Sequence, residues 1–152
     1  MEQKSATPSR ILLGIYTVFL LWLLLVRRQY DLSLPYWQHT AAHLNLVPFR
    51  TIRHFCRLLS LSGRPELHRI ALRNLGGNIL LFLPPGWLLP AAFPRLRVLW
   101  KTLLTVILVI SAVEAAQTLL LVGTCDIDDL ILNTAGAAIG YGLYRCFSSV
   151  SK

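Results

Sequence analysis

The chain has 152 residues, of which 55% are hydrophobic and 14% charged, and its 15 Lys and Arg against seven Asp and Glu give a formal net charge of +8. This composition excludes an ordinary soluble globular domain, in which about a quarter of the residues are charged, and indicates a protein of the lipid bilayer. The positive charge would also fit nucleic-acid binding, but no recognition motif accompanies it. We therefore expect no nucleic-acid partner and expect the arginines beside the apolar runs to face membrane lipids.

Four apolar segments approach the roughly 17–25 residues that a helix needs to cross a bilayer. They lie at about 11–26, 70–93, 102–122 and 130–147. The first resembles a signal peptide, but it lacks a small-residue cleavage site and ends in Arg27-Arg28, which indicates an anchor that stays in the protein. The sequence therefore predicts an all-α, polytopic membrane protein, a single domain over 1–152 with about four transmembrane helices.

The long outer loop between the first two spans contains the pattern of an amphipathic helix. Within residues 50–63, apolar side chains recur at helical spacing: Ile52, Phe55, Cys56 and Leu59. Basic side chains occupy much of the rest of the helix surface: Arg50, Arg53, His54 and Arg57. Such a helix either lies flat among lipid headgroups or packs on the bundle as a connector, and the pattern leaves both open. Arg50, Arg53 and, in the second span, Arg73 are candidates for binding a phosphate.

The second span combines amide side chains with a predicted break. Asn74, Asn78 and Phe82 are four residues apart and therefore share one helix face. The sequence Pro84-Pro85 followed by Gly86 lacks backbone donors, so we expect the helix to bend or break there and to face protein or a wet cavity rather than lipid.

The third and fourth spans carry the remaining polar side chains. Glu114 and Gln117 lie on one side of the third, where a carboxylate at membrane depth indicates function, a hydrogen-bonded contact between helices, or both. A stripe on the fourth contains Asp126, Asp129, Asn133, Gly136 and Gly140. Asp126 is placed to cap this helix, and the GxxxG step allows close approach of another helix. Together these residues predict a polar seam: Asn78, Glu114, Gln117, Asp126, Asp129 and Asn133.

Three interpretations of the acid cluster remain open. Capping and hydrogen bonds between helices account for Asp126 and Asn133. A divalent cation could instead join Asp126, Asp128 and Asp129 to a lipid phosphate, although the sequence predicts no other cofactor. The carboxylates could also pair with arginines of the outer loop. A disulfide between Cys56 and Cys125 is likewise open, because sequence alone fixes no geometry.

Four short motifs occur in a characteristic order: NLVPF at 45–49, GNILLFLPPG at 77–86, EAAQ at 114–117 and DIDDLILNTAGAAIGY at 126–141. This order and spacing resemble the VanZ-like family of bacterial membrane proteins, named after a member linked to teicoplanin resistance. The resemblance implies a multi-pass protein of the bacterial cytoplasmic membrane. Besides the seam, the family's signature positions include the loop motif Asn45, Pro48 and Phe49 and the helix-packing glycines Gly77, Gly86, Gly136 and Gly140. Many relatives have an arginine shortly before the first aspartate, where this chain has Gly123-Thr124-Cys125.

The leading functional hypothesis is an envelope protein that binds an anionic lipid or a lipid-linked cell-wall precursor and affects glycopeptide susceptibility. The seam would be its working surface, with outer-loop arginines on the phosphate. One alternative is a metal-assisted enzyme acting on a lipid phosphate, although no activated nucleophile stands beside a base. A second is a proton-coupled transporter. The short basic connection 94–101 places both termini in the cytoplasm.

Overall fold

The structure is a computed structural model that describes residues 3–26, 38, 44–121 and 125–150. Its helices are α1 (Gln3–Leu21), α2 (Arg50–Leu59), α3 (Pro65–Ala92), α4 (Leu99–Leu119) and α5 (Ile127–Val150). A π-helical turn, Trp22–Val26, extends α1, and a 3-10 turn, Pro94–Leu96, precedes α4. Two strands of two residues, β1 (Leu44–Asn45) and β2 (Cys125–Asp126), pair in parallel. The predicted all-α class is confirmed, and α2 is the predicted amphipathic helix.

Among the described residues, three helical segments are long and apolar enough to cross a membrane: the stretch Thr7–Leu25, α3 and α4. They correspond to the first three predicted spans. The fourth predicted span forms α5, whose 24 residues have the necessary length. Its composition is less apolar, because two aspartates, an asparagine and three glycines interrupt the hydrophobic sequence.

The long helices alternate in direction between two ends of the bundle. We call these the strand end, where β1 and β2 pair, and the turn end, where residues 93–98 connect α3 to α4. Near its start α1 meets the end of α3, since Arg10 Nε donates to the Ala92 carbonyl at 3.1 Å. Near the end of α5, the Tyr141 hydroxyl donates to the Arg97 carbonyl at 2.8 Å. The start of α1 and the end of α5 therefore lie at the same end, and α5 extends across the same thickness as α3 and α4.

The predicted break in the second span is absent, because α3 continues through Pro84, Pro85 and Gly86 as one helix of 28 residues. A proline at position 85 deprives the Leu81 carbonyl of its usual helical donor. The Tyr16 hydroxyl of α1 donates to that carbonyl at 2.9 Å instead. The helix therefore does not break at these prolines, and the neighbouring helix supplies the missing hydrogen bond.

Helices α3 and α5 pack with their backbones in contact. A methyl group added at Gly136 would overlap the Ile79 carbonyl, one at Gly140 the Leu83 carbonyl, and one at Gly86 the Ala137 carbonyl. The side chains of Phe82, Val106, Ile110 and Ala137 form the buried core beside this contact. Gly77 differs from the other glycines that sequence reasoning assigned to packing, because a methyl group there would meet no atom within 4 Å. Within the described residues no helix therefore packs against Gly77, and its role in helix packing remains a prediction.

Candidate functional site at the strand end

The β1–β2 pair brings the NLVPF loop against the acidic start of α5, with Asn45 in register with Asp126. The Asn45 amide donates to Asp126 Oδ1 at 3.0 Å, and the Thr51 hydroxyl donates to Asp126 Oδ2 at 2.6 Å. Asp126 Oδ1 also accepts the backbone N–H of Asp128 at 2.9 Å, which is the geometry of a helix N-cap. Asp126 is only 7% exposed, so it caps α5 and fastens the loop at once.

Asp128 is fully buried and holds the start of α2. Its Oδ1 accepts the N–H of Phe49 at 2.5 Å, and its Oδ2 accepts those of Thr51 and Ile52 at 2.7 and 3.0 Å. Amides in the first turn of a helix have no partner within the helix, and a negative charge there is favoured by the helix dipole. Phe49 adopts φ 63°, a left-handed conformation that costs a non-glycine residue about 1–2 kcal/mol. The Asp128 carboxylate is positioned to compensate for this cost.

The polar seam continues from this point towards the middle of the bundle, but only part of it converges. The Asn78 amide donates to Asp129 Oδ1 at 2.5 Å. Glu114, near the end of α4, accepts a weak hydrogen bond at 3.6 Å from the thiol of Cys125, the residue before Asp126. Four of the six predicted seam residues are thus grouped around the start of α5.

Gln117 and Asn133 are placed differently from the rest of the seam. The Gln117 side chain turns to α1 and donates to the Leu24 carbonyl of the π-helical turn at 2.8 Å. It therefore joins α4 to the π-helical turn that extends α1. Asn133 is 7% exposed, and its Oδ1 finds no hydrogen-bond partner among the residues that the structure describes.

Several other buried oxygens near the seam also lack a donor within the described ranges: Asn74 Oδ1, Glu114 Oε1 and Thr134 Oγ1. An unsatisfied buried polar atom costs about 1–3 kcal/mol, and such atoms are uncommon outside functional or hydrated sites. All of these oxygens can accept a hydrogen bond from a ligand or a water molecule.

The cysteines are free thiols, so Cys56 and Cys125 do not form the disulfide that the sequence left open. Burial raises the pKa of the Cys125 thiol, and the nearby Glu114 carboxylate raises it further. Cys125 is therefore a poor nucleophile at neutral pH, because it is the thiolate that reacts.

The structure does not support a metal site at Asp126, Asp128 and Asp129. Across residues 3–26, 38, 44–121 and 125–150, no three His, Cys, Asp or Glu side chains are arranged to hold a metal ion. The Asp128 oxygens accept backbone amides instead. Sequence reasoning grouped the three aspartates because they are adjacent in the chain, whereas folding directs them to different partners.

The basic side chains of α2 line one open concavity of about 690 Å³ at the strand end. Its lining consists of Val47, Arg50, Thr51, Arg53, His54, Phe55 and Arg57. Arg53 also donates to the carbonyls of Phe49 and Pro48 at 3.0 and 3.3 Å, which orients its guanidinium. Arg73, predicted beside Arg50 and Arg53, lies exposed on α3 and does not line this concavity.

Thr51 and Arg57 belong to the site but were not among the predicted site residues. Arg57 shares the basic pattern of α2, which could have identified it. The role of Thr51 depends on its hydrogen bond to Asp126, and no local pattern in the sequence predicts that contact.

These features define a helical multi-pass membrane protein in which buried carboxylates at the start of the last helix hold a basic amphipathic helix at one end of the bundle. The profile of the VanZ/LLP1 family matches residues 13–148, and the chain belongs to this family. Protein VanZ of Enterococcus faecium is 32% identical over 136 residues, which cover 90% of this chain and 73% of that protein. No solved structure matches the chain.

Proposed function

We propose that this VanZ-family membrane protein binds the phosphate of an anionic lipid or of a lipid-linked cell-wall precursor on the basic face of α2. One observation carries the proposal: Arg50, Arg53, Arg57 and His54 line the same open concavity, and no acidic side chain among the described residues does. Guanidinium groups bind phosphate through charge-assisted, often bidentate hydrogen bonds.

The charge balance around the arginines favours an external anion. No carboxylate of the described residues forms an ion pair with Arg50, Arg53 or Arg57; Glu66 pairs with Arg69 instead. Asp126 and Asp128, although close in the fold, are buried and hydrogen-bonded to the chain itself. The guanidinium groups therefore keep donors for a ligand.

The position of α2 favours a lipid over a soluble anion. Its basic side chains are exposed, whereas Ile52, Leu58 and Leu59 are half-buried against the bundle, so the basic face is turned outward. A basic amphipathic helix at one end of a membrane bundle suits the level of the headgroups. A phosphate attached to a lipid is already concentrated in that layer. The Asp128 contacts fix the helix there before the ligand arrives, so less conformational entropy is lost on binding.

We infer that the protein resides in the cytoplasmic membrane of a bacterium and that phosphate binding on α2 alters glycopeptide susceptibility. The inference to the cell wall rests on the relative named protein VanZ and on the lipid-phosphate chemistry of the basic face. Glycopeptides act at the outer surface, so the inference also requires the strand end to lie outside.

The test uses the full-length protein in nanodiscs of phosphatidylcholine, titrated with short-chain phosphatidylglycerol or with a polyprenyl diphosphate. We expect the combined Arg50→Gln, Arg53→Gln and Arg57→Gln protein to bind either ligand at least about tenfold more weakly, because charge-assisted hydrogen bonds are lost. Arg69→Gln is the matched control, since it removes an exposed arginine paired with Glu66. Equal affinities for the unaltered and triple-substituted proteins would refute the proposal.

A further inference from the structure

An apolar groove of about 110 Å³ lies between α1, α3 and α4, within the membrane-spanning part of the bundle. Phe82 and Val106 in its lining are buried and form its floor. Leu21 of α1 and Val109 of α4 also line it, and they are 40% and 50% exposed. The groove therefore opens sideways, between α1 and α4.

The lining of the groove suits hydrocarbon rather than water. Its side chains are apolar except those of Thr17 and Thr105, whose hydroxyls each donate to a carbonyl of their own helix at 2.8 Å. A bound water molecule needs several polar partners, and small apolar cavities stay dry. An empty groove would in turn forfeit the dispersion contacts of its lining. A hydrocarbon chain is therefore the occupant that fits.

The groove exists because α1 is held to the bundle at a few points and buries little surface. Only 6% of its apolar stretch Thr7–Leu25 is buried. Arg10 and the Tyr16 hydroxyl bond it to carbonyls of α3, and the Gln117 amide bonds its π-helical turn to α4 near the strand end. Between these points the groove separates α1 from α4.

The length of the groove matches one leaflet of a bilayer. On α1 its lining extends from Leu13, towards the turn end, to Leu24, near the strand end. At the helical rise this separation is about 16 Å, and half of the roughly 30 Å hydrocarbon core is about 15 Å. One acyl chain from the leaflet at the strand end therefore spans the groove. A polyprenyl chain is much longer, so most of it would lie outside.

The strand-end opening of the groove is connected to the basic concavity on α2. Val113 lines that opening, and the next residue, Glu114, accepts the hydrogen bond of the Cys125 thiol. Cys125 precedes Asp126, which accepts the Thr51 hydroxyl, and Thr51 lines the concavity. The exposed arginines of α2 complement the charge of a lipid phosphate at this same end. A phosphate on α2 and a chain in the groove therefore belong to the same leaflet.

We propose that this groove holds one acyl chain of the anionic phospholipid whose phosphate binds to α2. The inference rests on the function proposed for α2, because that function supplies the contact to the headgroup. The groove adds dispersion contacts to the same ligand. The protein thereby distinguishes an intact membrane lipid from an analogue with short chains.

The test compares long-chain with short-chain phosphatidylglycerol on the full-length protein in phosphatidylcholine nanodiscs. The long-chain lipid carries a nitroxide in the middle of one acyl chain, and its immobilised fraction, measured by EPR over a range of mole fractions, gives its affinity. Val109→Trp fills the groove from its rim. We expect it to weaken binding of the long-chain lipid about fivefold, because the chain loses its dispersion contacts. Affinity for the short-chain lipid should be unchanged, which also shows that the variant is folded.

Leu108→Trp is the matched control, because position 108 is 61% exposed, adjoins Val109 and lies outside the lining. Equal affinities of Val109→Trp and Leu108→Trp for the long-chain lipid would overturn the groove proposal. The α2 function would survive that result if the triple arginine substitution still weakens short-chain binding, and it would fail if that substitution has no effect.

Two further measurements identify a different occupant. If Val109→Trp weakens immobilisation of spin-labelled phosphatidylcholine as much as that of phosphatidylglycerol, the chain belongs to another lipid and the proposal is overturned. A change in the number of protein copies per nanodisc, seen in Val109→Trp but not in Leu108→Trp, would assign the groove to a second copy of the chain and overturn it as well.

Discussion

At the scale of single residues, the carboxylates of Asp126 and Asp128 mainly accept hydrogen bonds that hold separate segments of the chain together. A carboxylate that caps its own helix is a local device, and Asp126 does this through the Asp128 amide. Asp128 instead caps α2, and the residues whose amides it accepts lie 76 to 79 positions away in the chain. Asp126 therefore combines a local cap with bonds to the distant Asn45 and Thr51, whereas Asp128 caps only the distant helix.

Replacing Asp128 with Ala should therefore loosen the loop far from the site of the change. Three backbone amides would lose a buried, charged acceptor, and we expect about 3 kcal/mol of destabilisation. Thermal unfolding in detergent measures the loss. Maleimide labelling of Cys125, in a protein with Cys56→Ser and Cys146→Ser, should accelerate as β1 separates from β2.

Glu66→Gln is the control for this prediction, because it also removes one carboxylate but from an exposed pair, which contributes about 0–1 kcal/mol. If Asp128→Ala has the same unfolding temperature as the control and an unchanged Cys125 labelling rate, the hydrogen bonds from the α2 amides to Asp128 do not hold α2 in place.

At the scale of the elements, the contact between α3 and α5 determines the geometry of the site. The glycines at 136 and 140 let the α5 backbone reach that of α3. This contact fixes the position of the start of α5 along α3, where Asp129 accepts the hydrogen bond from Asn78. Small residues at a helix interface act in this way in membranes, where lipid is as apolar as the side chains and packing must supply the attraction.

Gly140→Ala and Gly142→Ala form a matched pair that tests this contact. The added methyl group at position 140 would overlap the Leu83 carbonyl, so we expect about 1–3 kcal/mol of destabilisation from overpacking. At position 142 a methyl group meets no atom within 4 Å, and the better helix propensity of alanine should leave stability unchanged or raise it by about 0.5–1 kcal/mol. Unfolding in detergent compares the two. Equal stabilities would show that the helices separate to accommodate the methyl group at little cost.

At the scale of the whole molecule, the two ends of the bundle differ in charge and in construction. The turn end carries a short basic connection, whereas the strand end carries the buried carboxylates under an exposed basic helix. Short basic connections remain in the cytoplasm, while long loops cross the membrane with less regard for charge. We therefore predict that the turn end, with the beginning of α1 and the end of α5, lies in the cytoplasm.

Cys56 makes this orientation measurable, because its thiol is free and exposed on α2. In intact cells, a membrane-impermeant maleimide should label Cys56 in a protein with Cys125→Ser and Cys146→Ser. A Cys56→Ser version of that protein shows the background. Labelling only after the cells are permeabilised would show that the orientation is the opposite one and that α2 lies on the cytoplasmic side.

Much of the helical framework could be predicted from the sequence, because the determinants are local. Length and apolarity identify α1, α3 and α4, and the alternation of basic and apolar side chains identifies α2. The glycine spacing on α5 predicts a close helix contact for the same reason, since positions four apart always share a helix face. The family is visible in the same way, through motifs that can be read in order.

The tertiary structure alone decided where each polar side chain is directed. The Asn78 amide donates to Asp129, whereas Gln117 turns to the Leu24 carbonyl, and Asp128 reaches the amides of another helix. The Leu81 carbonyl, which Pro85 leaves without a helical donor, likewise receives its hydrogen bond from a hydroxyl of α1. A sequence fixes which face of a helix a residue occupies, because helical periodicity is a property of the chain itself. Which partner stands opposite that face depends on how distant segments pack, and in this protein that packing separates the aspartates and brings the basic helix onto them.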